Sequence, residues 1–299
     1  NTLIAALNDI VKLKQNNVNI AAVNMSLGGW ENNVPSEVSH SGNPYWAALK
    51  AVSNAGIVLC VAAGNEGQAV GAPAPCDDYR DSDKKEYEKG NYVYPASYLN
   101  IPNMIVVAAA SQDASGKIIR SAESPQGGWE SNSNFSGEYV DVAAPGSHIV
   151  STVPTSYESE DEVERVEQGI RNYASWPGTS MATPHVTGAV ALLKAAYPNA
   201  TAKQIKRAIF KGANEKYCTN DSDDVTYQEP ENHTKDNTSK YGFLDIKGAY
   251  NSLPEIVKEL ETAAKEATIK PTENDYTVAT DIDKSSTSKV LALNVGETE

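Results

Sequence analysis

"PGTSMATPHVTGAVALLKAAYP" (177–198) runs from a Pro-Gly turn straight into a long apolar segment. A glycine-bearing turn that opens onto a helix sets Ser180 at the helix start, where backbone N–H groups lack partners and the dipole is positive. Developing negative charge is stabilised there, which an acyl-transfer nucleophile requires. The plain alternative is a serine that merely caps the helix. No G-x-S-x-G pattern surrounds Ser180, so an α/β-hydrolase elbow is excluded. Pro184 is expected within the first turn, where no helical N–H is lost. Residues 181–197 are apolar nearly all round and predict a buried central helix.

Upstream of this segment, "VNIAAVNMS" (18–26), "IVLCVAAG" (57–64) and "MIVVAAAS" (104–111) are apolar runs without alternation. Helical patterns precede the first two: Leu3, Leu7, Ile10 and Val11 predict a helix over 2–15, and Tyr45, Trp46, Leu49 and Val52 a second one closed by Gly56. Unalternating strands separated by helices indicate a parallel sheet covered on both faces. "YVDVAAP" (139–145) and "HIVSTV" (148–153) are shorter strand candidates, and Thr201 is placed to cap a helix over 202–213. "YGFLDIKGAYNS" (241–252) predicts a turn leading into a short helix, and from Leu253 onward a further helix and a polar tail follow. Residues 68–91, 155–168 and 214–240 have loop composition.

The chain has 299 residues, 40% of them hydrophobic, enough for one large domain with an appendage. A net charge of −14 would repel a phosphate backbone, which excludes nucleic acid and anionic membranes as partners. No apolar run is long enough to span a bilayer. Cys60, Cys76 and Cys218 are too scattered for a zinc site or a disulfide framework; Cys60 reads as a buried small hydrophobe, and pairing of Cys76 with Cys218 is left open.

"VAAGNEG" (61–67) ends an apolar strand in Gly-Asn-Glu-Gly. That puts the Asn65 amide at the carboxyl edge of the sheet, where an amide donor can hold an oxyanion; a simple Gly-Asn turn is the alternative. Four motifs then occur in order: "VNMSLGG" (23–29), "VAAGNEG" (61–67), "SNFSGEYVDVAAPG" (133–146) and "GTSMATPHVTGAVALL" (178–193). Together they resemble the second part of a subtilisin-like serine protease, and "YGFLDIKGAY" (241–250) resembles that family's closing pattern.

The resemblance implies a three-layer α/β/α fold with a mainly parallel sheet. The peptidase domain would occupy residues 1–252, lacking its N-terminal segment, and 253–299 would be a helix and tail, a linker to a further domain. It implies that Ser180 is the nucleophile, that Asn65 and the Ser180 N–H are oxyanion donors, and that Ser26, Leu27, Gly28, Gly29, Gly64 and Thr179 bind substrate. A serine hydroxyl needs a base. His40, His148, His185 and His233 do not stand in the family's His-Gly-Thr motif, and no Asp-Ser/Thr-Gly motif is present, so the triad histidine and aspartate are expected upstream of Asn1.

The function implied is peptide-bond hydrolysis through an acyl-enzyme; a catalytically inactive subtilase scaffold that binds peptides or proteins is the alternative. Peptide or protein substrates, a propeptide or an inhibitor would be the partners, with the protein secreted or at the cell envelope. No cofactor is required for the chemistry. The resemblance admits a structural calcium ion, for which the oxygen-rich 76–85 and 220–224 offer no complete ligand pattern. Pro177 stands where the family commonly has serine, and an acidic insertion (157–168) precedes it.

Overall fold

The structure, a computed structural model, describes residues 2–31, 42–67, 70–71, 92–98, 100–112, 114, 116, 118–123, 131–154, 173–214 and 239–269. In chain order the strands are β1 (Ala22–Met25), β2 (Gly29–Glu31), β3 (Val58–Ala62), β4 (Tyr92–Tyr94), β5 (Met104–Gln112), β6 (Ile118–Arg120), β7 (Ala122–Glu123), β8 (Ser131–Asn132), β9 (Val142–Pro145), β10 (Ile149–Thr152) and β11 (Tyr173–Trp176). The helices are α1 (Thr2–Gln15), α2 (Pro44–Asn54), α3 (Thr179–Ala196), α4 (Ala202–Gly212) and α5 (Ile246–Ile269).

The main sheet is the one the apolar runs predict. β1, β3, β5 and β9 pair in parallel, and β6 adds an antiparallel extension at the end of β5. Every residue of β3 is buried, because side chains alternate between two covered faces. Leu59, Val61, Val106 and Ala108 share a core with Leu7, Leu49 and Val52 of α1 and α2. Cys60 points the other way and meets Thr187 of α3, the helix that packs across β1, β3, β5 and β9. Helix layer, sheet and helix layer together give the three-layer α/β/α architecture. Each large aliphatic side chain fully buried in it, such as Leu49 or Leu193, contributes about 1.5–3 kcal/mol.

Some elements differ from expectation. The first strand covers only Ala22–Met25 of the apolar run from 18. α3 is buried on one stripe, Thr179, Ala182, Thr183, Val186, Ala189, Val190 and Leu193, rather than all round, and Leu192 is 61% exposed. Its spacing of three and four residues is that of a helix with a single covered face among the described residues. A single helix runs over Ile246–Ile269 where two were expected; Pro254 lies inside it, and Leu253 and Ile256 are fully buried. The expected strand "HIVSTV" begins at Ile149, and His148 sits in the turn before it with φ +50°. Its antiparallel partner β11 was not legible in sequence. No described helix is long and apolar enough to cross a membrane. Cys76, Cys218, His40, His233 and the acidic insertion lie outside the described residues.

Candidate active site

The site forms where α3 meets the carboxyl ends of β1 and β3. Gly178 is the N-cap of α3, with φ +131°, ψ +165° and no capping side chain. Its N–H donates to the Gly146 carbonyl at 2.7 Å, which pins the turn to the end of β9. Helix geometry therefore begins at Thr179, and Ser180 is the second helical residue, so the capping alternative for Ser180 falls. The Met181 and Ala182 N–H groups turn back to the Gly178 carbonyl at 3.0 and 3.2 Å. The Ser180 N–H has no partner among the described residues.

Asn65 stands at the end of β3, next to Gly64 in the left-handed region at φ +102°. Its side-chain oxygen accepts from the Thr179 N–H at 2.8 Å and from the Thr179 hydroxyl at 2.9 Å. A backbone N–H only donates, so the atom facing it must be Oδ1. The orientation of the amide is thereby fixed, and Nδ2 is left as a donor without a partner among the described residues. Two unsatisfied N–H groups, the Asn65 amide and the Ser180 backbone, thus belong to one cavity. Leu27, Gly28, Gly29, Gly64 and Thr179 also line it, together with Glu66 and Val93.

Pro184 is not where the sequence predicted. It is the sixth helical residue, and its missing N–H is the one that would bond to the Ser180 carbonyl. The Ser26 hydroxyl takes that place, donating to the Ser180 carbonyl at 2.8 Å. Ser26 accepts in turn from Asn24 Nδ2 at 3.0 Å, and Asn24 Oδ1 accepts from the Thr187 hydroxyl at 3.1 Å. Ser26 thus ties the end of β1 to the backbone of the serine. Gly28 packs close to Val93, and Gly29 pairs with Tyr94 along one edge of β2.

No side chain hydrogen-bonds the Ser180 hydroxyl among the described residues. His185 Nδ1 lies 2.9 Å from the Met181 carbonyl of its own helix, as expected for a ring directed away from the serine. The Cys60 thiol is enclosed, and burial pushes its pKa up to about 12 against a weaker opposing bond to Thr187. It stays protonated at neutral pH and offers no competing nucleophile. Among the described residues, no three His, Cys, Asp or Glu side chains come together to hold a metal ion. Asn134 is fully buried and engaged with the Asn65 loop. Neither Asn134 nor Glu66 was legible in the sequence as part of the site, because the contacts joining them span 68 residues.

The description of the subtilase family matches residues 2–243. The thermostable alkaline protease of Halalkalibacterium halodurans is 30% identical over 199 residues, 66% of this chain and 37% of that protein. Thermitase of Thermoactinomyces vulgaris is 34% identical over 189 residues, 62% of this chain and 44% of that protein. The crystal structure of fervidolysin from Fervidobacterium pennivorans, a keratinolytic enzyme related to subtilisin, aligns with a TM-score of 0.52 and 25% identity, covering 82% of this chain and 28% of that one. The chain spans less than half the length of these relatives.

Proposed function

This chain belongs to the subtilase family, and on that premise we propose that it is the nucleophile-bearing portion of a serine endopeptidase. Ser180 Oγ attacks the scissile carbonyl carbon, and the resulting oxyanion is held by Asn65 Nδ2 and the Ser180 N–H. The C–N bond then breaks, the amine leaves with the proton that the base took from Ser180, and water hydrolyses the acyl-enzyme. In this mechanism the base is a histidine oriented by an aspartate, and neither is identified among the described residues.

The observation that carries this reading is the pair of N–H donors, Asn65 Nδ2 and the Ser180 backbone, left without partners among the described residues beside one serine. Both residues line one cavity, where a developing oxyanion could accept from the two donors together. β2 pairs with β4 on one edge only among the described residues, and an extended peptide added along Gly28 and Gly29 would present its carbonyl to the cavity.

The alternative, a catalytically inactive subtilase scaffold that binds peptides or proteins, gives no reason to keep Asn65 Nδ2 oriented. Residues 1–252 are taken as the peptidase domain and 253–299 as an appended tail. Secretion or a place at the cell envelope rests on the family resemblance, as do a propeptide or inhibitor partner and a structural calcium ion. The test is hydrolysis of an unstructured protein by the full-length protein and by its Ser180→Ala variant. Hydrolysis that disappears in the variant supports the proposal; a folded wild type that cleaves nothing supports the scaffold.

A further inference from the structure

The loop carrying Asn65 is held from behind by one residue. Asn134 is fully buried, and it reaches this loop through four hydrogen bonds. Its backbone N–H donates to the Gly64 carbonyl at 3.0 Å. Its Nδ2 donates to the Ala63 carbonyl at 3.0 Å and to Glu66 Oε2 at 2.7 Å, and its Oδ1 accepts from the Glu66 N–H at 3.1 Å. Glu66 Oε2 accepts in addition from the Asn65 N–H at 2.9 Å. The Ala63 and Gly64 carbonyls and the Glu66 N–H are therefore anchored to Asn134, and the Asn65 N–H to the carboxylate that Asn134 holds.

The fit leaves no slack. A Cβ at Gly64 would overlap the Asn134 amide and come within 2.7 Å of Glu66 Oε2, so the left-handed residue and the clamp need each other. The Asn65 side chain is fixed by Thr179 only if the loop delivers it to the start of α3. An isolated turn would fluctuate by more than an oxyanion donor tolerates, since a displacement of about 1 Å can cost roughly 10²-fold in rate.

We infer that Asn134 is a positioning residue, which sets the Asn65 amide for the oxyanion through the Gly64–Glu66 backbone. The inference rests on the proposed peptidase reading. Its test is a double-mutant cycle in the full-length protein. Asn134→Ala is expected to lower kcat about tenfold or more with KM changed less than twofold, and to add almost nothing in an Asn65→Ala background. Should the alanine variant fail to fold, the isosteric Asn134→Asp decides. It sets two carboxylates against each other, and adding Glu66→Gln restores a donor and recovers part of kcat.

Independent losses from Asn134 and Asn65, or a change in KM alone, would overturn the inference while leaving peptidase activity intact. Amide hydrogen exchange at Asn65 and Glu66 tests the clamp without turnover. Protection unchanged in the Asn134 variants would overturn it whatever the protein hydrolyses, and loss of protection confined to this loop would support it.

Discussion

The starts of α3 and α4 obey opposite rules although they lie close together in sequence. α4 is closed by its own side chains: Thr201 Oγ1 accepts from the Gln204 N–H at 3.2 Å, and Gln204 Oε1 accepts from the Thr201 N–H at 2.7 Å. α3 begins at a glycine with no capping side chain, and its first donors go elsewhere: Thr179 to the Asn65 amide, Ser180 to nothing described. A structural helix end is satisfied locally. The end that is left open, with a remote strand and loop arranged around it, is where an anion would bind. Breaking a local rule and then supporting the breach from several elements is what separates a site from a turn.

The comparison is sharpened most by Asn65→Ala. Removing an oxyanion donor typically costs ~10²–10³ in turnover, so kcat in the full-length protein should fall by that amount with peptide binding little changed. Equal losses in kcat and affinity would make Asn65 a substrate contact instead. Next comes an attempt to close the open end with Gly178→Ser. At φ +131° a side chain is strained by about 1–3 kcal/mol. The melting temperature should drop and turnover should fall about tenfold; a stabilised variant would show that the open cap is accidental. At the closed end, Thr201→Ala should cost about 1 kcal/mol in denaturant unfolding and leave kcat unchanged.

The closed region also carries a pH dependence of its own. The Asp141 carboxylate accepts from the Val106 N–H at 2.9 Å. Burial raises its pKa, against the attraction of Lys206 on α4, the Val106 hydrogen bond and Lys240. A carboxyl whose folded pKa is raised contributes stability that is fully present below the ordinary value of 3.8 and is lost as pH rises through the higher folded value. Relative to Asp141→Asn, the wild type should therefore lose stability as pH rises from about 4 toward neutral. Thermal melts of both across that range check the sign, and a wild type that gains stability instead would contradict it.

The parallel sheet was legible because β3 and β5 are apolar without alternation, and the capping of α4 because Thr201 stands just before its helical run. The distinction between the two helix starts was only half legible. Gly-Thr-Ser is equally compatible with a serine that caps the helix, and the compensation for Pro184 comes from Ser26, 154 residues away from the Ser180 carbonyl it bonds to. Asn134 was hidden for the same reason: a hydrogen bond between distant segments leaves no periodic trace in sequence. The exposed side of α3 was not legible either, because apolar composition cannot say which neighbours cover which face.

Labelling with a fluorophosphonate, which modifies only serines activated by a base and an oxyanion hole, tests the central claim most directly. The full-length protein should take up one equivalent, located by mass spectrometry on Ser180, and the Ser180→Ala variant none. A folded protein that stays unlabelled, or that is labelled at another residue, would contradict Ser180 as the nucleophile of this site.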